Sequence, residues 1–235
     1  MGMLHLDRGT SARSNDLNTL GDVIRTYVTH HSPHAIFGGI IVVGVLRLVA
    51  GGFGWSDVTV VALTLSLTGV VEWVLHLLLL HAPDDSRRMT KYKTGSGHRE
   101  HHLDPQNVGW LMLGWQDATI FLMMLMGWAA TWPLLVAWLF GASILGTYLS
   151  ALLVSYLMLA HYEWVHLLVH ASYRPKSRYY RRLAVNHRLH HYRNEHNWLG
   201  VTSNIGDRLL GTLPLNKSDV VLSATARTLG STDPT

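Results

Sequence analysis

The 235-residue sequence predicts an all-α integral membrane protein: a four-helix transmembrane bundle with a cytoplasmic histidine-rich helical cap. Three observations predict it. Long apolar runs lack a polar face at helical period, which argues against a soluble bundle with buried helices. Lys and Arg collect after the second and fourth of the spans these runs supply. The 16 histidines are far above ordinary usage, and most stand in spaced groups where the runs end.

Residues 1–34 read as an N-terminal tail and interfacial segment, of which 1–20 are polar, loose and without the apolar core of a signal peptide. The first apolar run is Ala35–Ala50, short, carrying Arg47 and closed by Gly51-Gly52-Phe53-Gly54. The second is Val58–Leu80, whose ionisable residues are Glu72 and His76. Ala118–His170 is too long for one crossing of about 20 residues, so it is expected to form a hairpin. Its break lies near Trp132-Pro133 or at Gly141-Ala142-Ser143. The membrane domain is thus 35–215, and the Ser- and Thr-rich stretch 216–235 is expected to be a disordered tail. HxxHH occurs twice, yet there is no internal repeat of fixed period.

Charge fixes the expected topology. Arg87, Arg88, Lys91, Lys93 and Arg99 follow the second span, and Arg174, Lys176, Arg178, Arg181, Arg182, Arg188 and Arg193 follow the fourth. The connections at 51–57 and near 132–133 hold no Lys or Arg. The positive-inside rule then puts both termini and every histidine group on the cytoplasmic side. Topology and anionic headgroups account for the net charge of +4, and no aromatic-plus-basic module points to nucleic acid. With no cysteine, disulfides, thiolate zinc sites, iron–sulfur clusters and thiol nucleophiles are excluded together.

Ten histidines carry the chemistry: His76-x4-His81, His98-x2-His101-His102, His166-x3-His170 and His187-x2-His190-His191. Neutral imidazole is the commonest ligand for divalent transition metals. Ten are more than one mononuclear site can use, so two metals sharing the set is the economical reading. Residues three and four apart share a helix face, so each HxxHH converges from one turn and His166 pairs with His170. His76 and His81 stand roughly 140° apart on a regular helix. They address different metals, or a helix end between them realigns them. Imidazole alone does not choose among iron, zinc, copper and nickel.

Other residues have plainer readings. His5, His30, His31 and His34 match no spacing and read as interfacial or hydrogen-bonded residues. His161 could be a ligand, a partner of a ligand, or core; His196 reads as a partner of a ligand. Glu72, four before His76, and Glu163, three before His166, could orient an imidazole by accepting its second N–H, or simply cap or snorkel. Asn186 and Asp207, with Asp104 and Glu195, are further candidates for supporting or structural work. Glu163-x-x-His166 has the spacing of carboxylate-bridged di-iron bundles, but one such pair against ten histidines favours a histidine-rich centre.

Over His76–Pro214 the chain resembles the fatty acid hydroxylase superfamily, integral-membrane non-haem di-iron enzymes that include fatty-acid hydroxylases, sterol desaturases and carotenoid hydroxylases. The most specific stretch is NHRLHHYRNEHNWLGVTSNIGDRLLGTLP, residues 186–214, where the last HxxHH precedes Asp207-Arg208-Leu209-Leu210-Gly211-Thr212, similar to the family's D-R-x-x-G-T ending. The resemblance implies that the ten histidines hold two iron ions, with zinc a possible substitute. It also implies O2 as co-substrate and a lipid substrate within the bilayer, namely a fatty acyl chain, sterol or carotenoid. No fused cytochrome b5 module is expected, so a separate electron donor (ferredoxin, cytochrome b5 or a reductase) is implied. No catalytic side chain is expected beyond the metal centre, because none here attacks an unactivated C–H bond unaided. Two competing readings are a histidine-rich membrane protein that binds or transports zinc or iron, and a hydrolytic or lyase metal site. Transport needs ionisable ligands near the bilayer midplane, whereas these groups lie at span ends.

Overall fold

The computed structural model describes residues 12–83, 86 and 95–230. Its helices are α1 (Leu20–Thr29), α2 (His31–Ala50), α3 (Trp55–Leu75), α4 (Ser96–Leu103), α5 (Val108–Leu111), α6 (Trp115–Ala129), α7 (Trp132–Phe140), α8 (Ile144–His170), α9 (Arg178–Tyr192) and α10 (Ile205–Leu209). A π-helical turn, His76–Leu80, prolongs α3. The described residues contain no strand, and one isolated bridge pairs Arg13 with Asn107.

Four segments are long and apolar enough to cross a membrane: His31–Ala50, Trp55–Leu80, Ala118–Phe140 and Ile144–His170, with mean hydropathy between 1.6 and 1.9. The protein is therefore an integral membrane protein of the all-α class. The first span starts four residues before the predicted Ala35, where the His30 side chain accepts the Ser32 N–H and caps the helix. Both expected breaks in 118–170 occur. Trp132-Pro133 opens α7, and a proline in a helix's first turn loses no hydrogen bond there. Gly141–Ser143 is what separates the third span from the fourth; Gly141 takes φ +58, a conformation that costs glycine nothing.

The chain divides into two units, and α3 and α8 contribute residues to both. The unit of residues 28–68 and 115–162 is built on Val43, Val60, Ala129, Val136, Leu149 and Leu152. Ile41, Val45, Val49, Leu135 and Leu139 are exposed, as side chains that face lipid must be. Arg47 is only 2% exposed. Its guanidinium meets Asp57 Oδ1 at 2.6 Å, Ser150 Oγ at 2.7 Å and the Gly51 carbonyl at 2.6 Å. A charge inside a span persists when it is paired in this way.

The second unit comprises the described parts of 1–27, 69–114 and 163–235. Its apolar core joins Leu17, Val23 and Tyr27 to Val108, Leu111, Leu167 and Leu168. Two expectations about the tails are corrected. Residues 14–29 are structural: the Tyr173 N–H donates to the Leu17 carbonyl (2.8 Å), and Ser14 N–H to Gln106 (2.8 Å). Residues 217–230, predicted to be disordered, contain the buried Ala226, and Ser223 N–H donates to the Arg193 carbonyl (2.8 Å). The hydroxyls of Ser223 and Thr225, part of the composition that suggested a solvated tail, bond to Glu195 instead. His5, Arg87, Arg88, Lys91 and Lys93 lie outside the described residues.

Candidate metal centre

The five-residue spacing of His76 and His81 is resolved by the π turn. The His81 N–H donates to the His76 carbonyl at 3.0 Å, an i→i+5 bond that brings residues five apart onto one side. The two rings lie 4.8 Å apart, centre to centre. Gly95, before α4, packs against this turn: at φ +93, a Cβ there would sit 2.6 Å from the Leu79 carbonyl oxygen. Only glycine can open α4 so close to the turn. From α4, His98, His101 and His102 then enter the interior, joined by His166 and His170 at the end of α8 and by His187, His190 and His191 on α9.

All ten come together, in two groups. His76, His81, His98, His102 and His190 form the first; His101, His166, His170, His187 and His191 form the second. Within each group the ligand-capable nitrogens lie within 4.8 Å of one another, and either group could hold a metal ion. Each HxxHH is split between them: α4 gives His98 and His102 to the first and His101 to the second.

The donor atoms suit metals on two counts. In the first group His102 Nε2, His190 Nε2 and both nitrogens of His81 are buried without a hydrogen-bond partner among the described residues. Each such orphan costs about 1–3 kcal/mol, which coordination would remove. In the second group the Nε2 atoms crowd together: His101 to His191 at 3.0 Å and to His166 at 3.1 Å, His187 to His170 at 2.8 Å and to His191 at 3.1 Å. Two nitrogens each about 2.1 Å from one ion, at right angles, would be about 3.0 Å apart.

Backbone carbonyls orient the rings. His76 Nδ1 donates to Leu199 (2.5 Å), His102 Nδ1 to Ala226 (2.8 Å), His190 Nδ1 to Asn197 (2.9 Å) and His166 Nδ1 to Leu111 (2.9 Å). A proton held on Nδ1 leaves the Nε2 lone pair for a metal. The carboxylates act one step further out. Glu72 accepts the Val201 and Thr202 N–H groups (2.5 and 2.8 Å) and the Thr202 hydroxyl. Asp207 accepts Leu199 N–H (2.8 Å), Gly200 N–H (2.9 Å) and the Thr212 hydroxyl (2.6 Å). The loop that backs His76 is thereby fixed from two sides. Glu72 thus holds this loop, while the His76 N–H goes to the Leu199 carbonyl. Glu163 accepts the Leu113 N–H (2.9 Å), two residues from the carbonyl that backs His166.

Burial pushes the imidazoles of His81, His98, His101, His187, His190 and His191 well below the usual histidine range, and neighbouring imidazoles add to the shift. His102 is lowered to about 3, chiefly by burial. These rings are neutral at pH 7, the state that binds metal. Burial raises the Asp207 carboxyl above its ordinary value.

The remaining predicted residues fall outside both groups. His161 belongs to the other unit. The His196 side chain is 71% exposed and stands 3.6 Å from Glu195. Asn186 is buried on α9, its Nδ2 without a hydrogen-bond partner among the described residues. Asp104 pairs with Arg13 at 2.7 Å, and His30 with the Ser32 hydroxyl at 2.9 Å. Sequence reasoning missed the carbonyls of Leu111, Asn197, Leu199 and Ala226, which no residue type announces. Gly95, beside an HxxHH, was the one available signal of close backbone approach.

No curated protein and no solved structure matches the chain significantly. A family model described as fatty acid hydroxylase matches residues 61–212, more than half of the 235, and takes in all ten histidines. The chain thus belongs to the fatty acid hydroxylase family, membrane proteins of the hydroxylase and desaturase type whose members are generally oxidoreductases.

Proposed function

We propose that this protein is a membrane-bound non-haem di-iron oxygenase that hydroxylates or desaturates a C–H bond of a lipid such as a fatty acyl chain, sterol or carotenoid. The observation that carries the reading is the sorting of ten histidines, eight of them buried and His81 and His170 partly so, into two groups of five, each able to hold one ion, in a chain of this family with four apolar spans. His76, His81, His98, His102 and His190 are assigned to one ion, and His101, His166, His170, His187 and His191 to the other. Bound there, the metal pair supplies the activation of O2 that no side chain of this protein can supply. The overall balance for hydroxylation is a C–H bond, O2, two electrons and two protons giving an alcohol and water. The electrons come from a separate donor, a ferredoxin, cytochrome b5 or reductase.

The protein's own part is to hold, orient and dry the site. Carbonyls keep protons on Nδ1 of His76, His102, His166 and His190, and burial keeps bulk water from the rings. The basic residues that follow the second and fourth spans support a cytoplasmic position for the termini and the metal site. The test is metal analysis of anaerobically purified protein, then O2 consumption with a reductant and a lipid extract. Two irons per chain and a product that has gained one oxygen, or lost two hydrogens, are expected. Metal flux into liposomes without O2 use would replace this reading with transport; O2-independent turnover with zinc would replace it with hydrolysis or a lyase reaction.

A further inference from the structure

Residues 220–229 lie beyond the part of the chain that the family model matches, yet they reach the histidines. The Ala226 carbonyl, on a residue only 2% exposed, accepts the His102 Nδ1 proton at 2.8 Å. The opposite nitrogen of that ring, Nε2, is one of the buried orphans of the first group. Ala226 therefore decides which tautomer His102 adopts, and with it whether a lone pair faces the other four rings.

The segment is fastened at several points, each beside a ligand-bearing stretch. Arg99, next to His98, donates from Nη1 to the Leu229 carbonyl (2.9 Å) and the Thr228 carbonyl (3.3 Å), and from Nη2 to that of Ala82 (3.3 Å), next to His81. One buried guanidinium thus ties the C-terminal segment to α4 and to the residue after His81. Beyond α9, Glu195 Oε1 accepts the hydroxyls of Ser223 (3.0 Å) and Thr225 (2.5 Å). Ser223 N–H donates to the Arg193 carbonyl (2.8 Å), and Arg193 Nε donates to Val220 (2.9 Å).

We infer that residues 220–229 are a clasp that completes the metal position of His76, His81, His98, His102 and His190 by fixing His102, and that the second position forms without it. The inference rests on the reading of the two groups as metal sites. It makes Ala226 a positioning residue that acts through its backbone, and gives this protein a structural requirement outside the family's matched region.

The test uses full-length protein, a chain ending at Leu215 and the double variant S223A/T225V, all loaded with Fe(II) or Co(II). Metal content, Co(II) absorption and ion release to a chelator are measured. Full-length protein is expected to hold two ions. The truncated chain is expected to retain one, with the other released about 10–100-fold faster. S223A/T225V leaves every imidazole in place and is expected to speed release of that same ion by about 10-fold. In an H98A background, where the first position is already broken, truncation should change nothing further. Two firmly held ions in the truncated chain, or both lost together from a folded one, overturn the clasp. Should truncation prevent folding, unchanged release from S223A/T225V overturns it. Full-length protein that binds no metal defeats the oxygenase reading itself, a separate outcome.

Discussion

Behind His76, His102 and His190 stand the carbonyls of Leu199, Ala226 and Asn197, all from segments after α9. The five rings of the second group are held differently. His166 leans on Leu111, but Nδ1 of His101, His187 and His191 has no hydrogen-bond partner among the described residues. Their geometry comes from α4, α8 and α9, which present them at helical spacing. Three rings of the first position are thus backed by loop carbonyls, whereas the second relies chiefly on its helix rows. The first can be loosened without touching a ligand; the second is disturbed mainly through its own rings.

The comparison can be broken most sharply at the ligands. His190→Ala and His101→Ala should each abolish turnover, and each should remove one ion by metal analysis, from the first and second positions respectively. Loss of both ions from either variant would show one shared site. Asp207→Asn comes next. It places an amide donor among three donors that now share a carboxylate, frees the 199–200 loop, and should weaken the first ion by about 10–100-fold and leave the second intact. Equal weakening of both by Co(II) titration would dissolve the distinction. Gly95→Ala forces a side chain into φ +93 and toward the Leu79 carbonyl, and should cost about 1–3 kcal/mol in thermal unfolding, with the first ion again the weaker.

The last prediction concerns protons rather than a substitution. In the metal-free chain, His81, His98, His101, His102, His187, His190 and His191 titrate below their unfolded value of 6.5, His102 at about 3. Between those values the unfolded chain binds more protons than the folded one, so stability rises with pH and levels off above about 6.5. Melting of the metal-free protein by circular dichroism should therefore drop between about pH 7 and about pH 5. A flat profile would mean that the rings already reach water.

Much of this was legible in the sequence, for stated reasons. Apolar runs at span length gave four membrane helices, and HxxHH spacing gave rings on one face. Much of what stayed hidden is backbone. The acceptors behind His76 and His102 are peptide carbonyls, and the turn that aligns His81 with His76 is an i→i+5 bond that 100° arithmetic cannot show. Glu72, four residues before His76, suggested a partner for that imidazole, but it grips the amides of Val201 and Thr202. The Ser and Thr of the C-terminal segment suggested solvent because composition does not reveal the buried Glu195 that collects the hydroxyls of Ser223 and Thr225.

The π turn also sets how the second span tolerates changes in length. Deleting one leucine from Leu77–Leu80 would let an ordinary helix form, with the two histidines four apart and still on one side. Adding one would swing the later imidazole about 100° away, because no regular helix aligns residues six apart. The site is therefore asymmetric toward insertion and deletion: the chain there already carries one residue more than an α-helix needs, and it has no room for another.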